Sequence, residues 1–322
     1  MVRKYERVRN IGCGRFGSTI LVQATGCGMG ASLMPGATDV RLAIMKTIDA
    51  GRLCGGDQAR LLQEIRELAS FRHPHIVPVL ECFRDNSIMC LVTAYAGGGD
   101  VAGRVFAARR SGSGLKDEQV LQWLAQALLA LEYIHRCGAL HRDLRARRLL
   151  LTAKGEHVLV SGVALSAPLA KALDAERPDV EAMRYLGPEL VGGQECHSRA
   201  SDIWAMGVIL YEMLCLRPPF EHSRPRALAE KIAAKPVPAL PPRCPEALSR
   251  LCAALLCREP GARPSAERAL REPAVQARLR SLLNEEPTEP PPRHVLDSNA
   301  DYGVGPAPAL SPRLSPLKLP AG

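Results

Sequence analysis

Apolar and polar positions follow one pattern before Gly97 and another after it. In the first part, short apolar runs bounded by polar or glycine residues are typical of strands. The predicted strands are Val8–Ile11, Ile20–Val22, Leu42–Met45, Val77–Phe83 and Ile88–Tyr95. One segment differs, because Gln58–Phe71 has its apolar residues at helical spacing. The first part is therefore predicted to be a small β-rich unit with a single helix.

After the glycines at 97–99 the pattern becomes helical. The predicted helices are Glu118–Cys137, Ser201–Leu214, Pro245–Cys257 and Ser265–Leu282. We therefore expect an α+β domain over 1–276, with a small lobe over about 1–96, a glycine hinge and a larger helical lobe over about 97–276.

The last segment, 277–322, has a different composition. From Ser281 onward it contains 9 of the 26 prolines and shows no helical or strand period. We expect a disordered tail. Ser311 and Ser315 each precede a proline and suit proline-directed phosphorylation. Between the second and third strands, the glycine-rich stretch 26–36 is predicted to be a flexible hairpin loop.

Composition sets broad limits on function. An apolar fraction of 47% over 322 residues excludes a wholly disordered chain. A net charge of +9 favours anionic partners. The 11 cysteines include no CxxC pair, so no zinc site is expected. The charged N-terminal stretch is unlike a signal peptide, and no apolar run is long enough to span a membrane. A reduced, cytoplasmic location is expected.

The first chemical motif is the glycine pattern Gly12-Cys13-Gly14-Arg15-Phe16-Gly17. Dinucleotide-binding folds use the same string where a strand opens into a helix. Here a strand follows, which favours a hairpin whose backbone amides cover phosphates. The alternative is a plain hairpin turn.

Three further residues could act on a phosphorylated ligand. Lys46 ends a strand and Glu64 lies in the following helix, so the two could pair and hold phosphates. Two unrelated surface charges are the alternative. Asp143, in His141-Arg142-Asp143-Leu144, could accept a proton from a substrate hydroxyl.

Three further motifs follow along the chain: Gly187-Pro188-Glu189, Asp202 in SDIWAMG, and Arg263. The order and spacing of all these motifs resemble those of a eukaryotic protein kinase. The resemblance covers roughly 5–273. KYERVRNIGCGRFG, SFRHPHIV, YAGGGD and RYLGPEL are most similar to the NimA-related serine/threonine kinases. It implies a bilobal protein-kinase fold that binds ATP.

The resemblance also implies roles for individual residues. Asp143 would be the catalytic base. The residues that would bind nucleotide are Gly12, Cys13, Gly14, Gly17, Ala43, Lys46, Glu64, Ala94, Ala96, Asp100 and Leu150. Those that would hold the structure are His141, Arg142, Glu189, Asp202 and Arg263.

The chain departs from the kinase pattern at both metal ligands. Arg148 stands where the catalytic-loop asparagine belongs, and Gly162-Val163-Ala164 replaces the magnesium-binding DFG. Mg²⁺ requires oxygen donors. Like unit charges a few ångströms apart repel by roughly 4 kcal/mol at an effective dielectric near 20, so a guanidinium at the metal position would oppose binding of the ion. No metal site is therefore expected.

The remaining arginines of this loop have two interpretations. Arg148 is interpreted as a metal substitute that binds phosphate oxygens. Arg145 and Arg147 could assist it, or could simply be solvated. The segment 165–186 contains one serine and no threonine, so phosphorylation has little to act on there.

These departures favour a pseudokinase that binds ATP weakly and without Mg²⁺, and that acts as a scaffold or allosteric regulator of a protein partner such as an active kinase or its substrate. The alternative is a working serine/threonine kinase that uses Lys46 and Asp143 with an unusual metal site. Nucleic-acid binding is a weaker third hypothesis, because no aromatic residues interleave with the basic ones. The resemblance also suggests a cytoskeletal, centrosomal or ciliary location.

Overall fold

The computed structural model describes residues 5–14, 17–25, 42–52, 55–162, 180–193 and 197–284. The loop 26–36, the residues Val163 and Ala164, and the tail beyond residue 284 lie outside these ranges. None of the described helices is long and apolar enough to cross a membrane. Seven cysteines of the described residues are free thiols: Cys82, Cys90, Cys137, Cys215, Cys244, Cys252 and Cys257.

The N-terminal lobe is an antiparallel five-stranded sheet with one helix. The strands are Tyr5–Gly14 (β1), Gly17–Ala24 (β2), Leu42–Asp49 (β3), Val79–Asp85 (β4) and Ile88–Ala94 (β5), in the order β1-β2-β3-β5-β4. The helix α1 spans Gly55–Ser70. The five predicted strands and the helix are all present. β4 starts later than predicted because Pro78 has no N–H for the ladder, while the N–H of Val77 bonds to Val160 of the other lobe at 2.9 Å.

The C-terminal lobe is helical. Its helices are Val101–Ser111 (α2), Asp117–Arg136 (α3), Val180–Met183 (α4), Pro188–Val191 (α5), Arg199–Cys215 (α6), Pro225–Ala234 (α7), Glu246–Leu255 (α8), Ala266–Leu270 (α9) and Pro273–Asn284 (α10). A two-stranded ladder, Leu149–Leu151 (β6) with Val158–Val160 (β7), lies beside the hinge. The expected bilobal α+β architecture is confirmed.

Two long helices form the centre of this lobe. α3 and α6 are apolar on most of their faces, and residues such as Leu124, Leu128, Trp204 and Tyr211 are almost completely buried. A helix that is apolar all round must be enclosed by others. This buried core supports the loop 137–148, which follows α3.

The end of the fold differs from the prediction. The single helix predicted over 265–282 is two helices, because Pro273 cannot continue α9 but suits the first turn of α10. α10 continues to Asn284, and Arg278 donates a 2.6 Å hydrogen bond to Gln122 of α3. The predicted boundary at 277 therefore lies inside a packed helix.

Candidate functional site

The loop after α3 is held by one buried carboxylate. Oδ2 of Asp202 accepts hydrogen bonds from Nε2 of His135 and the backbone N–H of His141, each at 2.9 Å, and Oδ1 accepts from the N–H of Arg142 at 2.8 Å. Burial opposes ionisation of Asp202, but the hydrogen bond from His135 and the field of His141 outweigh it, so its pKa lies below the ordinary value. Arg142 has φ +67°, a strained conformation that these bonds stabilise.

Asp143, the predicted catalytic base, is enclosed by two arginines. Arg148 directs Nε (3.0 Å) and Nη2 (2.6 Å) to Oδ2 of Asp143. Arg145 places Nη2 3.3 Å from the same oxygen and Nε 3.2 Å from Oδ1. The Asp143 side chain is only 17% exposed. Both of its oxygens therefore face guanidinium groups, and we call this arrangement the arginine clamp.

Gly162 occupies the position of the DFG aspartate, and Arg148 fills the space beside it. A Cβ atom at Gly162 would lie 3.1 Å from Nε and 3.2 Å from Cδ of Arg148. Gly162 also has φ +80°, which favours glycine. In addition, the backbone N–H of Ser161 donates to the carbonyl of Arg148 at 2.8 Å. The missing aspartate and the added arginine thus form one packed arrangement.

Lys46 faces the same charges. It lies on β3, opposite Thr19 of β2 and Leu91 of β5. Burial, with a further contribution from the positive charge of Arg148, lowers the pKa of Lys46 to about 8, while Asp143 acts in the opposite direction. The structure thus brings Lys46, Asp143 and Arg148 into one site. Glu64 lies on α1 and is 7% exposed, and its pairing with Lys46 stays a prediction.

The predicted adenine-contacting residues lie on both sides of the hinge. Ala43 of β3 pairs with Ala94 of β5, and both are buried. Ala96 is half-buried just beyond β5. Leu150 of β6 forms a bridge with Asp100. Oδ1 of Asp100 accepts the Gly103 N–H at 2.7 Å and thereby caps α2, a structural role that sequence reasoning missed.

The glycine motif lies in a hairpin. Gly12, Cys13 and Gly14 belong to β1 and pair with β2, where Gly14 lies opposite Gly17. A strand follows Gly17, so the dinucleotide-fold alternative is excluded. A Cβ atom at Gly17 would lie 1.7 Å from the carbonyl oxygen of Thr47, so the close approach of β2 and β3 requires glycine there.

The segment from Tyr185 into α5 is fixed to the lobe by buried pairs. Arg263 donates to both carboxylate oxygens of Glu189, at 2.8 and 2.7 Å, and neither side chain is more than 6% exposed. The hydroxyl of Tyr185 donates to Glu212 at 2.7 Å. Burial raises the pKa of Glu212 to about 7. These contacts between buried side chains fix the segment to the rest of the lobe.

Arg147 and Arg145, in the loop after α3, make different contacts. Arg147 is 61% exposed and forms an ion pair with Glu181 of α4. Arg145, in contrast, is only 17% exposed and contacts Asp143. The solvated interpretation therefore fails for Arg145. Its place two residues after Asp143 was the signal for this contact, since the side chains of such near neighbours in a tight loop can meet.

A two-lobed fold with a glycine hairpin, a strand lysine and an Asp202-braced loop defines the class of protein. The sequence profile of the protein kinase domain matches residues 5–275. The chain belongs to the protein kinase domain family.

Several relatives of the chain are Nek kinases. It is 29% identical to serine/threonine-protein kinase Nek1 of Mus musculus over 97% of this chain and 24% of that protein. Identity is 28% to Nek11 of Macaca fascicularis, covering 88% of this chain and 42% of the relative. Identity is 31% to Nek6 of Oryza sativa subsp. japonica, covering 86% of this chain and 49% of that protein. The resemblance to the NimA-related branch is confirmed, and the chain spans about a quarter to a half of these relatives.

Proposed function

We propose that this chain is a pseudokinase, a kinase-fold domain that transfers no phosphoryl group, binds a nucleotide weakly without Mg²⁺ and regulates a protein partner as a scaffold or allosteric effector. The observation that carries the proposal is the arginine clamp on Asp143. Kinase-family membership implies ATP as the nucleotide.

The clamp opposes the role of Asp143 as a base. A general base must have an oxygen within hydrogen-bond reach of the substrate hydroxyl. Both oxygens of Asp143 already face Arg145 or Arg148. Hydrogen bonds to charged groups contribute about 1.5–3 kcal/mol each. Freeing the carboxylate for a substrate therefore requires breaking several such bonds.

The same residues do not fit Mg²⁺. Gly162 offers no side-chain oxygen, and the guanidinium of Arg148 packs against it. Asp143, the nearby carboxylate, is engaged by that guanidinium. Mg²⁺ requires near-ideal octahedral oxygen coordination. These residues therefore support no catalytic step through a metal ion.

A metal-free nucleotide has two cations available. Arg148 uses Nε and Nη2 for Asp143, and none of the hydrogen bonds within the described residues uses its Nη1. Lys46 carries the second charge on the facing strand. A guanidinium edge and an ammonium can bind phosphate oxygens directly. This arrangement supports nucleotide binding that needs no ion.

A working kinase is the second candidate, because Lys46 and Asp143 are both retained. The test uses the full chain with radiolabelled ATP, Mg²⁺ or Mn²⁺ and a general protein substrate. Asp143→Asn is the matched control, since it keeps the shape of the side chain. We expect no phosphoryl transfer above that control. Transfer that Asp143→Asn abolishes would establish the working kinase instead.

A further inference from the structure

An aromatic side chain and two arginines form an exposed face on α2. Phe106 is 61% exposed and is the one aromatic among the large exposed apolar side chains of the described residues. The guanidinium carbon of Arg110 lies 5.9 Å from the centroid of its ring. Arg109 is exposed beside them. We call Phe106, Arg109 and Arg110 the Phe106 face.

Burial of the opposite side of α2 shows that this face is not needed for the core. Val101, Val105 and Ala108 pack inward and are buried. Arg109 and Arg110 complement the helix dipole at the last turn, which explains basic residues there but not an exposed phenylalanine. α2 contains no acidic residue. The face therefore suits a ligand that is acidic and that also packs against an aromatic ring.

The chain itself contains such a segment. Glu285–Pro292, with the sequence EEPTEPPP, directly follows α10. Its three glutamates complement the arginines. Its prolines favour the extended polyproline II conformation, which packs on aromatic side chains with a small loss of conformational entropy.

The described contacts link α10, the helix that precedes this segment in the sequence, to the region of α2. Arg278 of α10 donates to Oε1 of Gln122, whose Nε2 donates to the carbonyl of Glu156 at 2.9 Å. Arg104 of α2 lies against the neighbouring Gly155, with Nη2 2.9 Å from the position of a Cβ atom there. α2 therefore contacts the turn between β6 and β7 directly, and α10 is linked to the same turn through Gln122 of α3.

The segment is longer than the helix it would cover. Asn284 lies about 9 Å of helix beyond Arg278, and eight residues in polyproline II span about 25 Å. α2 itself is about 16 Å long. We propose that Glu285–Pro292 lies across the Phe106 face of its own chain, with prolines against Phe106 and glutamates against Arg109 and Arg110.

Zero-length carbodiimide coupling of the full chain tests this placement. Arg110→Lys keeps the charge and supplies an amine, which we expect to couple to Glu285, Glu286 or Glu289 within a monomer, as mapped by mass spectrometry. Arg226→Lys is the matched control, because Arg226 is 93% exposed on α7. Its amine should give no coupling to this segment.

Two changes separate the contributions to docking. Phe106→Ser in the Arg110→Lys background should lower the yield without changing the melting temperature, since the side chain is exposed. Raising the salt concentration should lower the yield by roughly two- to fivefold for each exposed ion pair lost. The proposal is overturned if position 110 couples no better than position 226, if coupling occurs only between two chains, or if Phe106→Ser leaves the yield unchanged.

Discussion

Replacing Arg148 with alanine should weaken the binding of metal-free ATP to the full chain. The lost group is a guanidinium whose Nη1 edge faces no partner in the described residues, beside Lys46. A charge-assisted hydrogen bond contributes about 1.5–3 kcal/mol. Since 1.4 kcal/mol is a tenfold change in affinity, we expect a loss of about 10- to 100-fold.

The assay is isothermal titration with ATP in EDTA at pH 7. At this pH Lys46, with a pKa of about 8, is already mostly protonated. Loss of the Arg148 charge therefore adds little positive charge to Lys46, and the lysine does not replace the lost guanidinium. Arg147→Ala is the matched control, because it removes an equal charge from the same loop at an exposed side chain. ATP binding that Arg148→Ala leaves unchanged or makes tighter would refute the reasoning.

Asp143→Asn should have the opposite effect on the same titration. The substitution removes the anion that holds Arg148 and Arg145, so both guanidiniums become available to phosphate and metal-free ATP should bind more tightly. Weaker binding would show that the carboxylate orients Arg148 for the nucleotide rather than competing with it.

Three further outcomes test the packing of the site. Gly162→Asp should lower the melting temperature, because the new Cβ atom would lie 3.1 Å from Nε of Arg148. A non-glycine residue held at φ +80° also costs about 1–3 kcal/mol of backbone strain. A melting temperature equal to that of the parent would contradict this. Burial lowers the pKa of His75 from 6.5 to about 4. The folded state then binds fewer protons than the unfolded one, so the free energy of unfolding should fall by about 3 kcal/mol between pH 6.5 and 4; urea denaturation should show this slope flattened in His75→Asn. Arg263→Met should lower the free energy of unfolding by about 3–5 kcal/mol by leaving the buried charge of Glu189 unpaired; a loss below about 1 kcal/mol would indicate an exposed pair.

Apolar spacing predicted the five strands of the N-terminal sheet, α1 and the helices α3, α6 and α8, but it did not predict α2 or α7. The short apolar runs before Gly97 and the helical period after it reflect which residues are buried, and the sheet and the predicted helices follow them. Element ends were less predictable, because they depend on single residues. Pro78 delays β4, and Pro273 divides a predicted helix in two.

The chemistry of the site was only partly predictable. The resemblance to protein kinases placed Lys46, Asp143 and Arg148 in one cleft, and the structure couples their charges. A guanidinium can pair with a phosphate or with a carboxylate, and the sequence does not choose between them. The contact of Nε and Nη2 of Arg148 with Oδ2 of Asp143 depends on the short turn 146–148, which directs Arg148 back over Gly162. The contact of Arg145 with the same carboxylate had one signal in the sequence, its place two residues after Asp143.

The central claim is that Arg148 takes the place of the metal, and a thermal-shift measurement tests it most directly. The full chain is heated with and without ATP, in EDTA and in Mg²⁺, and a ligand that binds the folded state raises the melting temperature. We expect ATP to raise it in EDTA, with no further increase in Mg²⁺. An increase that appears only with Mg²⁺ would contradict the claim and establish a metal ligand at this site.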